Sequence, residues 1–385
     1  VRSEDFTSQR AGRTTKSMSG GVAFVPNPLP PTDLALTPSL IRELSAADHA
    51  LGVLDGIGRT IPDPHLLLVP FLRREAVLSS KIEGTVATLG DLAVFEAQES
   101  DRKDQADVRE VWNYVNALDA GLSPTRTLPI SLRLFRDLHG ILMADVRGSS
   151  LTPGEFRTVQ NYIGPPGSTE RTATYVPPAV PDMLAALGEF EKYLHQAQEH
   201  PALVGLALAH YQFEAIHPFL DGNGRLGRLL ITLLLCERGL LKSPLLYLSA
   251  YFERTRQEYY RRLLGVTLHG AYEEWISYFL AGVAEQCADA VRRIDRLRDL
   301  RASYYARLKE RKASALIYRL VDLLAERPAV TVTSAAERLG VTHRSANRAI
   351  SELSSMGILH QPIERQRNRV FMAREFLAAL ESAQP

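Results

Sequence analysis

The run His217-Pro218-Phe219-Leu220-Asp221-Gly222-Asn223-Gly224-Arg225-Leu226-Gly227-Arg228 gathers reactive residue types in one short stretch. Gly222-Asn223-Gly224 holds residues that tolerate positive φ, so successive backbone N–H groups can converge on an anion. Asp221 is a hard oxygen ligand suited to Mg²⁺ that also binds phosphate oxygens. Arg225 and Arg228 are three apart, so on a helix they share a face and can reach one polyanion. His217 can take a proton near neutral pH. Base, metal ligand, anion cradle and two guanidinium groups together point to phosphoryl or nucleotidyl transfer. Each also has a plainer use: Asp221 or Asn223 as a helix cap, the glycines as a turn, His217 as a core histidine. Their crowding into one loop favours the chemistry. The run is not a Walker-type P-loop, because no strand precedes it and no Gly-Lys-Ser/Thr follows.

Two helices must hold this loop. Leu206, Leu208, Ala209 and Phe213 give a helical apolar pattern before it, over 201–215, and Leu229, Leu230, Leu233 and Leu234 give another after it, over 225–238. The second helix then points its N-terminus, with its orphan donors and partial positive charge, at the bound anion. Upstream, a helix over about 64–83 ends on Ser79-Ser80-Lys81-Ile82-Glu83-Gly84. Gly84 is a natural helix-ending residue. Glu83 meets the negative end of the helix dipole, so either a partner compensates it, most simply an arginine, or it is a solvated carboxylate costing a few tenths of a kcal/mol.

The stretch from His217 to Arg228 resembles, at every motif position, the HPFxDGNGRxGR signature of the Fic family, helical enzymes that mostly move AMP from ATP onto protein hydroxyls. The resemblance implies a protein adenylyltransferase with His217 as catalytic base and Asp221 as Mg²⁺ ligand. It implies ATP held by Gly222, Asn223, Gly224, Arg225, Gly227 and Arg228, and a target protein offering a Tyr, Ser or Thr hydroxyl. Ser79, Glu83 and Gly84 resemble the S/TxxxE(G/N) inhibitory motif of many Fic proteins. In those, the glutamate pairs with the second arginine of the signature, here Arg228, and blocks the γ-phosphate. Some relatives reuse that glutamate to remove AMP, and a few transfer phosphate, UMP or phosphocholine, so direction and donor stay open. The resemblance spans roughly residues 22–262.

Residues 85–118 read as one helix, with Val108, Val111, Trp112, Val115 and Leu118 on its packed face, and 131–143 as another. Short extended runs at 161–164 and 175–178 predict a small hairpin with an open edge, either a plain surface hairpin or a strand-addition site. In Fic enzymes the matching flap, here Ile163, Gly164, Tyr175 and Val176, lines up the target hydroxyl. The stretch 245–263 carries Tyr251, which borders adenine or packs in the core. It also carries Thr255, where relatives often have Asn or His near the adenosine.

The expected fold class is mainly α: a Fic helical core with a small β-hairpin flap, plus a C-terminal winged helix-turn-helix domain. The expected divisions are an N-terminal arm and helices over 1–120, the catalytic core over 121–285, a helical connector with a solvated, salt-bridged face over 286–312, and the last domain over 313–385. That domain reads as a helix, a short extended run at 330–332, a helix capped by Ser334 and Glu337, and a second helix carrying His343, Arg344, Ser345, Asn347 and Arg348. A hairpin with Arg365, Arg367 and Arg369 near its tip follows. DNA is one partner for such a domain and protein docking or a homodimer the other. The alternative function is a DNA-binding regulator with a nucleotide-sensing core. A net charge of +1 over 385 residues gives no global pull toward nucleic acid or membrane. Cys236 and Cys287 lie in apolar helical patterns and read as buried thiols. No long apolar run appears, so the expectation is no membrane and a cytoplasmic protein.

Overall fold

A computed structural model describes residues 2–17, 20–61, 65–98, 105–123, 125, 128–146, 151–196, 199–362 and 369–381. Their order is β1 (Gly12–Lys16), β2 (Val22–Pro26), α1 (Pro38–Thr60), α2 (His65–Ile82), α3 (Leu89–Ala97), α4 (Ala106–Leu122) and α5 (Leu132–Leu142). Then come α6 (Val180–His195), α7 (Ala202–Ile216), α8 (Asn223–Glu237), α9 (Ser249–Arg254), α10 (Arg256–His269) and α11 (Tyr272–Glu310). The chain closes with α12 (Ala315–Glu326), β3 (Ala329–Val330), α13 (Val332–Leu339), α14 (His343–Ser355), β4 (Phe371–Met372) and α15 (Arg374–Glu381). The fold is mainly α, with small antiparallel pairings of β1 with β2 and of β3 with β4.

The centre is α7 against α8. Every residue of α7 except Ala202 and Glu214 is buried, and α8 buries Leu229, Leu230, Leu233 and Leu234. Each such leucine contributes about 1.5–3 kcal/mol on leaving water. Around this pair pack α6, α4, α5 and α11. The N-terminal arm is a hairpin laid over that core. The Phe24 N–H donates to the Val176 carbonyl at 2.9 Å, Gln212 donates to the Asn27 carbonyl, and Arg10 forks onto Glu273 at 2.7 Å.

Three local expectations need correcting. The helix over 85–118 is two helices, because Thr88 and Asp91 form a capping box that opens α3, and the polar run after Ala97 has no apolar period to carry it on. The stretch 245–263 holds α9 and the start of α10, which meet at Thr255, whose hydroxyl donates to the Tyr251 carbonyl at 2.7 Å. The helix expected from Ser334 begins at Val332, since Thr331 is its cap and exchanges bonds with Ser334. The face after residue 286 is not uniformly solvated: Arg293 is buried, bonded to Asp289 at 2.6 Å and to the Leu380 carbonyl. Of the two thiols, Cys287 is buried and Cys236 half-buried. The tip arginines Arg365 and Arg367 lie outside the described residues. His343, Arg344, Asn347 and Arg348 stand exposed on α14. No helix among the described residues is long and apolar enough to cross a membrane.

The C-terminal helices pack directly on α2. Arg73 on α2 donates through Nε to both oxygens of Glu96 on α3, at 2.8 and 2.7 Å. Arg327, just past α12, reaches the same carboxylate at 3.5 Å. Glu96→Ala leaves the Arg73 guanidinium buried without its partner and is expected to destabilise the protein by about 3–5 kcal/mol. Thermal unfolding reads this directly, and an unchanged midpoint would show the cluster to be energetically idle.

Candidate active site

α7 ends because His217 adopts the left-handed conformation, φ 49° and ψ 62°, and Pro218 cannot continue the helix. The His217 N–H still reaches the Phe213 carbonyl at 3.0 Å. Its Nδ1 lies 3.3 Å from the Glu214 carbonyl oxygen. A carbonyl can only accept, so Nδ1 carries the proton and Nε2 is left with its lone pair. Burial lowers the imidazole's pKa to about 4, so the ring is neutral at pH 7.

The loop after His217 is tied shut from inside. The Asn223 side chain accepts from the Phe219 N–H at 2.9 Å and donates to the Phe219 carbonyl at 2.8 Å. What Asn223 can offer a ligand is therefore its backbone at the start of α8. Gly222 caps α8 at φ 78°, a conformation that favours glycine. Gly224 is helical, and its reason is space: a Cβ there would stand 2.3 Å from Glu83 Oε1. Asp221 accepts from the Gly222 N–H at 2.6 Å, and its side chain is 40% exposed.

Glu83 follows the last residue of α2, and its Oε1 accepts from Arg228 at 2.7 Å. Arg228 also donates to the Ser79 hydroxyl and the Ser79 carbonyl, both at 2.9 Å. Burial alone would raise the Glu83 carboxyl, but Arg228 outweighs it and holds the pKa below the usual value. The compensating arginine that the helix dipole calls for is thus Arg228. Gly84 takes φ 98° and turns the chain away.

These groups enclose a cavity of about 700 Å³. Glu83, His217, Asp221, Gly222, Asn223, Gly224 and Arg228 line it, together with Ile163, Gly164 and Tyr175. Ile163 and Tyr175 pair backbone to backbone at 2.8 and 3.0 Å, so the expected hairpin is reduced to a single bridge. Val176 is turned inward against Ala23 and Ala173.

Several expected ligands do not line the cavity. Arg225 does not share it with Arg228. It is buried with Glu110 at 3.4 Å and Met143 at 3.5 Å, because three residues on a helix still differ by about 60° in direction and that difference sends it toward α4 and α5. Gly227 provides space for packing, since a Cβ would meet Glu214 Oε1 at 2.4 Å. Tyr251 tilts against Tyr278 with ring centroids 4.9 Å apart, and Thr255 donates to the Tyr251 carbonyl and bonds the Tyr278 hydroxyl, both at 2.7 Å. Both belong to the packing around α9 and α11.

Two braces escaped the sequence reading. Arg157, 1% exposed, donates to the carbonyls of His217 at 3.0 Å, Val159 at 3.2 Å and Pro178 at 2.5 Å. It staples the segment carrying Ile163 to the histidine loop. His139 accepts from the Gly154 N–H at Nδ1, 2.9 Å, so its Nε2 donates to the Asp221 carbonyl, 3.0 Å, and its ring stacks on Phe219 at 3.8 Å.

Comparison with known proteins gives the same outline. Residues 41–123 match the Fic/DOC family N-terminal region, and residues 129–235 match the Fic/DOC family. A curated relative from Drosophila grimshawi, called protein adenylyltransferase Fic, is 31% identical over 179 residues, 46% of this chain and 32% of the relative. Its namesake from Drosophila virilis is 36% identical over 129 residues, 33% of this chain and 23% of the relative. The chain thus spans about a third or less of the length of these relatives. Among solved structures, a Fic family protein from Desulfovibrio desulfuricans G20 superposes with a TM-score of 0.57 at 18% identity, covering 90% of this chain and 98% of that one. With the two matched regions adjoining in sequence, and the loop from His217 to Arg228 set between the same two buried helices that its pattern requires, the chain belongs to the Fic/DOC family.

Proposed function

We propose that this protein is an adenylyltransferase that moves AMP from ATP onto a Tyr, Ser or Thr hydroxyl of a target protein, and that Glu83 restrains it. The observation that carries the reading is the Glu83–Arg228 ion pair, 2.7 Å long, inside a cavity that also holds His217 and the start of α8. The phosphates of ATP lie at the N-terminus of α8, where the first N–H groups need partners. Arg228 takes the terminal phosphate once Glu83 withdraws. The target hydroxyl comes in beside Ile163 and Tyr175, with Ile163 40% exposed.

The target oxygen forms a bond to the α-phosphorus while the bond from that phosphorus to the bridging oxygen breaks. The hydroxyl proton passes to His217 Nε2, and pyrophosphate leaves. Most of the rate comes from positioning and charge neutralisation. Asp221 fits a Mg²⁺ that arrives with the triphosphate: it is one half-exposed carboxylate, and the described residues hold no cluster of three or more metal-binding side chains. When bound, that ion would offset charge on the phosphate oxygens.

The base sets the pH profile. Burial holds the His217 pKa at about 4, and only the neutral ring can accept the proton. Transfer by a Glu83→Gly protein is therefore expected to stay flat from about pH 6 to 8 and to fall only below about pH 5. An acid limb centred near the free-histidine value, about 6.5, would contradict a desolvated imidazole. The function itself is tested by mass spectrometry of a protein treated with the Glu83→Gly variant and ATP. An adenylyl adduct on a hydroxyl side chain is expected, and a phosphoryl adduct would replace the assigned reaction.

A further inference from the structure

Tyr211 and Glu214 on α7 and His217 just past its end fall three apart, and all three line the cavity. The His217 end carries the anion-binding groups. Away from those groups the lining includes Tyr259, Tyr260, Leu263 and Leu264, with Thr267, Arg256 and Arg261 among them. Two of its hydroxyls are already matched: that of Tyr211 bonds Thr267 at 3.1 Å and that of Tyr259 bonds His210 at 2.8 Å. Such a wall suits the flat face of a base.

Glu214 lies between these two ends, and the phosphate chemistry gives it no task. Its Oε1 is sealed against Gly227, so Oε2 is the oxygen left to meet a ligand. The residue as a whole remains partly open to the cavity. Burial pushes its carboxyl up to about 7, Arg228 pulls it down, and Glu83 adds to the rise. A carboxyl held by packing on one oxygen, with the other left unbonded and not buried, is an acceptor waiting for donors. In a nucleoside triphosphate the phosphates are acceptors and the base lies at the far end. The donors between them are the sugar hydroxyls, which acidic side chains bind in other nucleotide sites.

We propose that Glu214 accepts hydrogen bonds from the ribose hydroxyls of the nucleotide, and so selects ribonucleotides over deoxyribonucleotides. This rests on the reading of the cavity as an ATP site. Gly227 is then glycine because the carboxyl that faces the sugar must fit against its Cα.

The test is equilibrium binding of ATP, 2′-deoxy-ATP and 3′-deoxy-ATP to the full-length Glu83→Gly protein, with and without Glu214→Ala or Glu214→Gln. With Glu214 present, ATP is expected to bind about tenfold more tightly than at least one deoxy analogue. Glu214→Ala should bring the two within about twofold by weakening ATP alone, while Glu214→Gln, which keeps an acceptor, should retain part of the preference. Equal binding of all three nucleotides with Glu214 present, or a preference that survives Glu214→Ala, overturns the assignment and leaves the ATP site standing. Parallel loss of every nucleotide in both Glu214 variants marks a structural role and also overturns it. If folded Glu83→Gly protein binds none of the three, the ATP reading and this inference fall together.

Discussion

A His217→Ala variant is expected to lose about 10²–10⁴-fold in AMP transfer, the usual contribution of a placed general base, while its fold persists. The ring's Nδ1 is committed to the Glu214 carbonyl, so Nε2 is the atom left to take the proton. Neither brace on the loop uses the imidazole: Arg157 holds the His217 carbonyl, and Asn223 holds both backbone groups of Phe219. Alanine is strained by about 1–2 kcal/mol at a left-handed position. Asparagine tolerates that backbone better, so His217→Asn serves as the control in which base loss is separated from strain. Initial rates of labelling for both variants, beside their melting curves, decide the matter. Substantial transfer by either would remove His217 from proton transfer.

The second large effect runs the other way. Glu83→Gly is expected to raise transfer by about 10–100-fold. A hydrogen bond between charged groups is worth about 1.5–3 kcal/mol, and this one must be given up before a phosphate can take Arg228. The substitution should cost little stability. Arg228 keeps its bonds to the Ser79 hydroxyl and carbonyl, and Glu83 already lies in the turn beyond α2. Removing its side chain also clears the space over Gly224. Labelling rates for wild type and variant at ATP well below saturation measure the release, and equal rates would mean that the ion pair is not what limits the enzyme.

Local patterns made much of this legible. The helices before and after the loop follow from apolar periodicity, and α7 and α8 start and stop within two residues of the expected places. Glu83 stood out as a carboxylate at the wrong end of a helix, and that misfit points to an arginine whatever family the chain belongs to. Interactions that join distant backbone to a side chain were not legible. Arg157 binds carbonyls as far as 60 positions away and His139 binds one 82 positions away, and no spacing rule marks either. Helical spacing also misled at Arg225: it placed the two arginines on one side, whereas Glu110, from another helix, claims the first. Gly224 read as part of a conformational nest and Gly227 as a nucleotide contact, yet two carboxylates, Glu83 and Glu214, explain them by close approach. Breaks such as the one at Thr255 depend on a single side chain competing for a helix carbonyl, which apolar period cannot register.

The most direct measurement uses Glu83→Gly protein with ATP labelled at either the α- or the γ-phosphorus, beside the Glu83→Gly, His217→Ala double variant. Attack at the α-phosphorus predicts covalent label on protein from the α-labelled nucleotide alone, and its loss in the double variant. Label carried from the γ-phosphorus, or label from the α-phosphorus that survives without His217, would contradict the mechanism.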